Sequence, residues 1–120
     1  MKIGFVLMTE YMKFQHINTM LKMIESAKKK GHTISGIFLF GTGVLNLQNK
    51  SILGKGVKDL PKELEKLGAE KIPIFTCQTW ADIYGINENN KIEHASISGL
   101  GELSNITKEA DKLIVFGSRL

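Results

Sequence analysis

Cys77 is the only thiol in the 120-residue chain, and its neighbours suggest a place where a thiol can react. An apolar run, Lys71-Ile72-Pro73-Ile74-Phe75-Thr76, leads into it, and the helix-like Gln78-Thr79-Trp80-Ala81-Asp82-Ile83-Tyr84 follows. A thiol at the carboxyl end of a strand and the amino end of a helix meets free backbone N–H groups and a positive dipole end, both of which favour the thiolate. With Thr76 read as the N-cap, Cys77 is the first helical residue, where the dipole contributes roughly 0.3 to 1 kcal/mol to the thiolate. That lowers the thiol pKa by less than about one unit from its reference near 8.5. Stronger activation needs a second contribution, such as a lysine from a loop or a neighbouring subunit. Cysteine is also among the most buried residue types, so a packed, inert Cys77 is the competing reading.

Other candidate chemistry is thinner. His16, His32 and His94 are isolated in sequence, with no carboxylate or second histidine at metal spacing, so no metal site is expected. His16 is placed at a helix start and His32 at a strand start, both packed or solvent-facing. His94 precedes Ala95-Ser96-Ile97-Ser98 and is the histidine with a route to a ligand. Gly41-Thr42-Gly43 and Gly99-Leu100-Gly101 resemble fragments of a nucleotide fingerprint, but neither follows the first strand or completes G-x-G-x-x-G, and no Gly-Lys-Ser/Thr is present. They read more simply as turns or places of close backbone approach.

The elements that must position Cys77 show as a hydrophobic period that switches between strand and helix. Ile3 to Met8 is a continuous apolar run suited to a strand buried on both faces. Over Ile17 to Lys30, residues Ile17, Met20, Leu21, Ile24 and Ala27 form one helical stripe, and Gly31 supplies the stop. His32 to Phe40 reads as the second strand. Val44 to Lys58 reads as a long loop with at most a short helical turn. Asp59 is a fitting N-cap for a helix over 60–67, closed by Gly68. Strands are expected over 72–76, 92–97 and 113–117, the last buried, with a helix spaced by Leu100, Leu103, Ile106 and Ala110.

Strands alternating with helices predict a three-layer α/β/α sandwich with a mainly parallel five-stranded sheet, formed by residues 1–120 as one domain. In such a sheet the carboxyl ends of the strands share one edge, and ligands bind in the crevice there. Cys77 belongs to that edge.

Composition bounds the function classes. The net charge is +4, from 16 basic and 12 acidic side chains, and Arg119 is the only arginine. With no RNP-like aromatic pattern or Cys/His finger spacing, direct nucleic-acid contact is not implied. Lys28-Lys29-Lys30 reads as the solvated end of a helix. A single cysteine forms no intramolecular disulfide, and the apolar start before Glu10 is too short for a signal-peptide core or a membrane span, which together predict a cytoplasmic protein.

Three stretches carry a family resemblance: a first strand running into a Tyr-containing loop; Phe38-Leu39-Phe40-Gly41-Thr42-Gly43-Val44-Leu45-Asn46, with a cysteine closing strand three; and Ser98-Gly99-Leu100-Gly101-Glu102-Leu103 with Ala110-Asp111-Lys112-Leu113-Ile114-Val115-Phe116-Gly117. In this order and spacing they resemble the DsrE/TusD branch of the DsrE/DsrF/DsrH family over nearly the whole chain. The resemblance implies a sulfur carrier or sulfurtransferase in which Cys77 accepts sulfane sulfur as a persulfide and hands it to a partner protein's thiol, for tRNA thiolation or sulfur metabolism. Tyr11, Gly43, Asn46, His94, Ser98 and Gly99 are the residues expected to line the crevice. The implied partners are sulfur-donor and sulfur-acceptor proteins, in a homo-oligomer (trimer or hexamer) or a hetero-oligomer with sister chains. Persulfide exchange needs neither metal nor bound redox cofactor, so none is expected. The other reading that survives is a structural or regulatory subunit of the same family, with Cys77 buried and the crevice holding a small ligand or a partner loop.

Overall fold

A computed structural model describes residues 1–9, 14–48 and 60–117. Strand β1 (Lys2–Leu7) is followed by α1 (Phe14–Lys29), β2 (Thr33–Leu39), a 3-10 helix (Gly41–Leu47), α2 (Leu60–Ala69), β3 (Ile74–Cys77), α3 (Gln78–Tyr84), β4 (Ala95–Ser98), α4 (Gly101–Glu109) and β5 (Lys112–Phe116). The five strands form one sheet in the order β4-β3-β2-β1-β5, and every pairing is parallel. The chain steps outward from β1 to β4, then returns past β1 to place β5 on the other edge. Right-handed crossovers therefore put α1, α2 and α3 on one face and α4 on the opposite face.

Side chains along the strands divide between these faces with period two. Phe5, Leu7, Ile37, Leu39 and Ile74 join Ile17, Met20 and Ile24 of α1, Leu64 of α2 and Ala81 of α3 in the main core. Val6, Phe38 and Cys77 point the other way and join Ile106 of α4 in a smaller cluster. The first core fits the 3-4-3 spacing of Ile17, Met20, Ile24 and Ala27, which lays a single stripe of α1 on the sheet.

On the second face, two strand glycines let α4 sit close. Gly4 and Gly36 are neighbours in the β1–β2 register. A Cβ on Gly36 would fall 2.7 Å from Ile106 Cγ1, and one on Gly4 would fall 2.9 Å from Ile106 Cγ2. Ile106 thus fills a slot made by the absence of two side chains.

Several boundaries differ from the sequence expectation, each for a local reason. The segment after β2 is a 3-10 helix from Gly41 to Leu47, earlier and longer than the short turn expected within the loop from Val44, and residues 49–59, Asp59 among them, lie outside the described residues. Gly68 does not end α2, because Lys71, with φ 69°, takes the left-handed position. The bonds Lys71 N–H to Gly68 O and Ile72 N–H to Leu67 O close the helix around it. Gly68 is instead a contact position, where a Cβ would lie 2.7 Å from His94 Cβ. Strand β4 begins at Ala95, not Ile92, because His94 has φ 66° and breaks the extended backbone. β5 is an edge strand, with Leu113 38% and Val115 53% exposed, not a buried one. No helix among the described residues is long and apolar enough to cross a membrane.

Candidate functional site

The carboxyl ends of the strands gather the polar groups of interest. At the end of β3, Thr76 is fully buried and donates its hydroxyl to Leu39 O at 2.6 Å. Its side chain is therefore committed to β2 and is not the N-cap of α3. That position belongs to Cys77, with φ −85° and ψ 141°. An N-cap side chain faces the N–H groups two and three residues ahead, which no helical carbonyl satisfies. No conventional side-chain hydrogen bond closes this cap, but the sulfur stands where the capping oxygen of Ser or Asp would be.

The electrostatics of Cys77 are a contest between cover and cap. Burial pushes the thiol up; the backbone N–H groups of Trp80 and Thr79 and the Thr79 hydroxyl pull it down, and the Asp82 carboxylate opposes them weakly. The donors win, so the thiol ionises below its ordinary value. The cause is local hydrogen bonding to the anion. Cys77 is 7% exposed, in the cluster with Val6, Phe38 and Ile106. Phe40 and Trp80 pack against this cluster. Their rings meet edge to face at 5.3 Å, and Tyr84 stacks on Trp80 at 6.2 Å. Cys77 is thus largely buried among apolar neighbours, not open to solvent as an accessible carrier thiol would be in its resting state.

The residues expected to line the crevice separate into three groups. Ser98 is the register partner of Cys77 on β4, so both side chains leave the sheet on the α4 face. Its Oγ is buried without a hydrogen-bond partner. Gly99 follows, exposed, and a Cβ there would meet nothing within 4 Å. Gly43 and Asn46 have structural tasks instead. A Cβ on Gly43 would collide with Leu7 O at 2.2 Å, and Asn46, fully buried, donates through Nδ2 to Thr9 O and Gly43 O. Together they tie the 3-10 helix to the end of β1, while Asn46 Oδ1 has no partner. His94 stands at the amino end of β4, exposed, so the length of the strand separates it from the edge that holds Cys77. Tyr11 lies outside the described residues.

Two features escaped the sequence reading. Thr79 supplies two of the three donors to the sulfur, and a residue two places after an N-cap is where a donor should be sought. His16, inside the first turn of α1, has Nδ1 3.0 Å from Thr9 Oγ1 and its ring 6.0 Å from Phe116. It sits at the β1–β5 side of the same edge. Among the described residues no group of three His, Cys, Asp or Glu side chains could hold a metal ion.

Comparison with known proteins agrees with this architecture. The chain is 27% identical over 114 residues to the sulfurtransferase TusD of Buchnera aphidicola subsp. Schizaphis graminum, covering 85% of this chain and 89% of that protein. The crystal structure of the YchN protein from E. coli matches with a TM-score of 0.79 and 26% identity, over 96% of this chain and 98% of that one. MTH1491 from Methanobacterium thermoautotrophicum, a protein of unknown function, shares the fold with a TM-score of 0.72 at 12% identity, over 94% of this chain and 97% of that one. A model of the DsrE/DsrF-like family matches residues 1–116, and the chain belongs to that family.

Proposed function

We propose that the protein is a sulfur carrier: Cys77 accepts sulfane sulfur as a persulfide and passes it to the thiol of a partner protein, in tRNA thiolation or another branch of sulfur metabolism. The observation that carries this reading is the cap itself. Cys77 is the N-cap of α3, where the N–H groups of Trp80 and Thr79 and the Thr79 hydroxyl lower the pKa of the sulfur, which favours the thiolate that attacks a sulfur–sulfur bond. Membership of the DsrE/DsrF-like family and the likeness to a protein named as a sulfurtransferase support it. With no second thiol in the chain, sulfur taken up by Cys77 leaves to another molecule. Oligomeric assembly and a cytoplasmic location belong to the same reading, and Leu113 and Val115 on edge strand β5 are exposed apolar surface that assembly would cover.

One observation favours a second reading. Cys77 is 7% exposed and packed with Val6, Phe38 and Ile106, as expected of a family member that serves as a structural or regulatory subunit and keeps its cysteine as core. Sulfur loading separates the two. After incubation with a cysteine desulfurase and cysteine, the carrier gains the mass of one sulfur, removable by reductant and absent from Cys77→Ser. A subunit with an inert cysteine gains nothing, and that result defeats the carrier reading.

A further inference from the structure

We propose that the hydroxyl of Ser98 holds the outer sulfur of a Cys77 persulfide. The proposal rests on the carrier reading and adds a residue to it. Cys77 and Ser98 are register partners at the carboxyl ends of β3 and β4, and adjacent strands lie about 4.8 Å apart with paired side chains on one face. Ser98 Oγ is buried and has no hydrogen-bond partner. Buried polar atoms are nearly always paired, so an orphan hydroxyl beside a reactive group calls for an explanation. The resting sulfur does not satisfy it, since the donors to Sγ are the N–H groups of Trp80 and Thr79 and the Thr79 hydroxyl.

Loading changes the geometry. The Cys77 thiolate attacks the outer sulfur of a donor persulfide, R–S–SH. The donor's S–S bond breaks, R–S⁻ leaves with the electron pair, and a Cys77 Sγ–S bond forms with the proton still on the transferred sulfur. That proton is then lost to water. No oxidant or reductant is needed, and delivery to an acceptor thiolate repeats the exchange in the other direction. The new bond extends the side chain by about 2.05 Å, and the negative charge moves from Sγ, which the cap serves, to the outer sulfur, which it does not. Ser98 is a neighbouring side chain with a donor to spare.

The test loads the full chain with cysteine persulfide, removes excess donor, adds a fixed concentration of a small acceptor thiol and follows transfer of the extra sulfur to it by intact-protein mass spectrometry, in wild type, Ser98→Ala and Ser98→Thr. Loss of a hydrogen bond to a charged sulfur should shorten the persulfide half-life about tenfold in Ser98→Ala, with Ser98→Thr and all free-thiol alkylation rates within about twofold of wild type. The melting temperature of Ser98→Ala should not fall, because the hydroxyl bonds nothing in the unloaded protein. Equal half-lives in wild type and Ser98→Ala would overturn the Ser98 assignment while leaving the carrier reading in place. A fall in melting temperature with a matching change in thiol alkylation would overturn it as well, marking a structural residue. Failure of the wild type to take up any sulfur would end both proposals.

Discussion

A cysteine that caps a helix does two jobs with one atom. The Cys77 sulfur occupies the position that Ser, Thr, Asp or Asn takes in most N-caps, so its anion is stabilised by the same N–H groups that would otherwise go unpaired. Cys77→Ser keeps a capping atom and should hold the stability of the wild type at neutral pH, whereas Cys77→Ala should cost about 0.5–1 kcal/mol. The pH dependence has a definite sign. The folded thiol ionises below its ordinary value, so the unfolded chain keeps the proton to higher pH. This contribution is complete above the unfolded value near 8.5 and fades as the pH falls through the folded value. Thermal unfolding at a series of pH values checks it: wild type should gain on Cys77→Ser as the pH rises toward 8.5. At this scale the sequence brought Cys77 to the start of α3 but misplaced the cap. Thr76 looks like a cap by residue type, yet its hydroxyl is drawn to Leu39 O, a partner 37 residues away that no local pattern reveals.

Among the elements, α4 is the one on which the second face depends, and it holds by fit more than by area. Ile106 sits over Gly4 and Gly36, where Cβ atoms would come within 3 Å of it. Gly36→Ala should therefore push α4 away from the sheet and destabilise the protein by about 1–3 kcal/mol, as overpacked cores do. Urea unfolding checks this, and an unchanged midpoint would show that α4 shifts freely. Glycine inside an apolar strand run is a sequence sign of close approach, but nothing near Gly4 or Gly36 in the sequence names Ile106 as the residue that fills the slot. The ends of α2 and β4 were not legible. Both depend on residues other than glycine, Lys71 and His94, taking the left-handed conformation, which is uncommon outside glycine.

Across the whole molecule, alternation of strand and helix was enough to predict a five-stranded α/β sandwich and to bring Cys77 to the carboxyl edge. Strand order was not readable from it, and order decides what surrounds the sulfur. Because the chain walks from β1 to β4 before returning, β4 lies beside β3 and Ser98 comes opposite Cys77. The same walk leaves the sulfur on the face where Ile106 of α4 packs. Burial of Cys77 among apolar neighbours, set against activation by the cap, is the tension on which the functional account turns. The rate of Cys77 alkylation in the folded protein, measured against pH, addresses both sides at once. The account predicts reaction without unfolding, rising through a midpoint below the ordinary thiol value near 8.5. Alkylation that proceeds only as fast as the protein unfolds, or with a midpoint at or above that value, would contradict it.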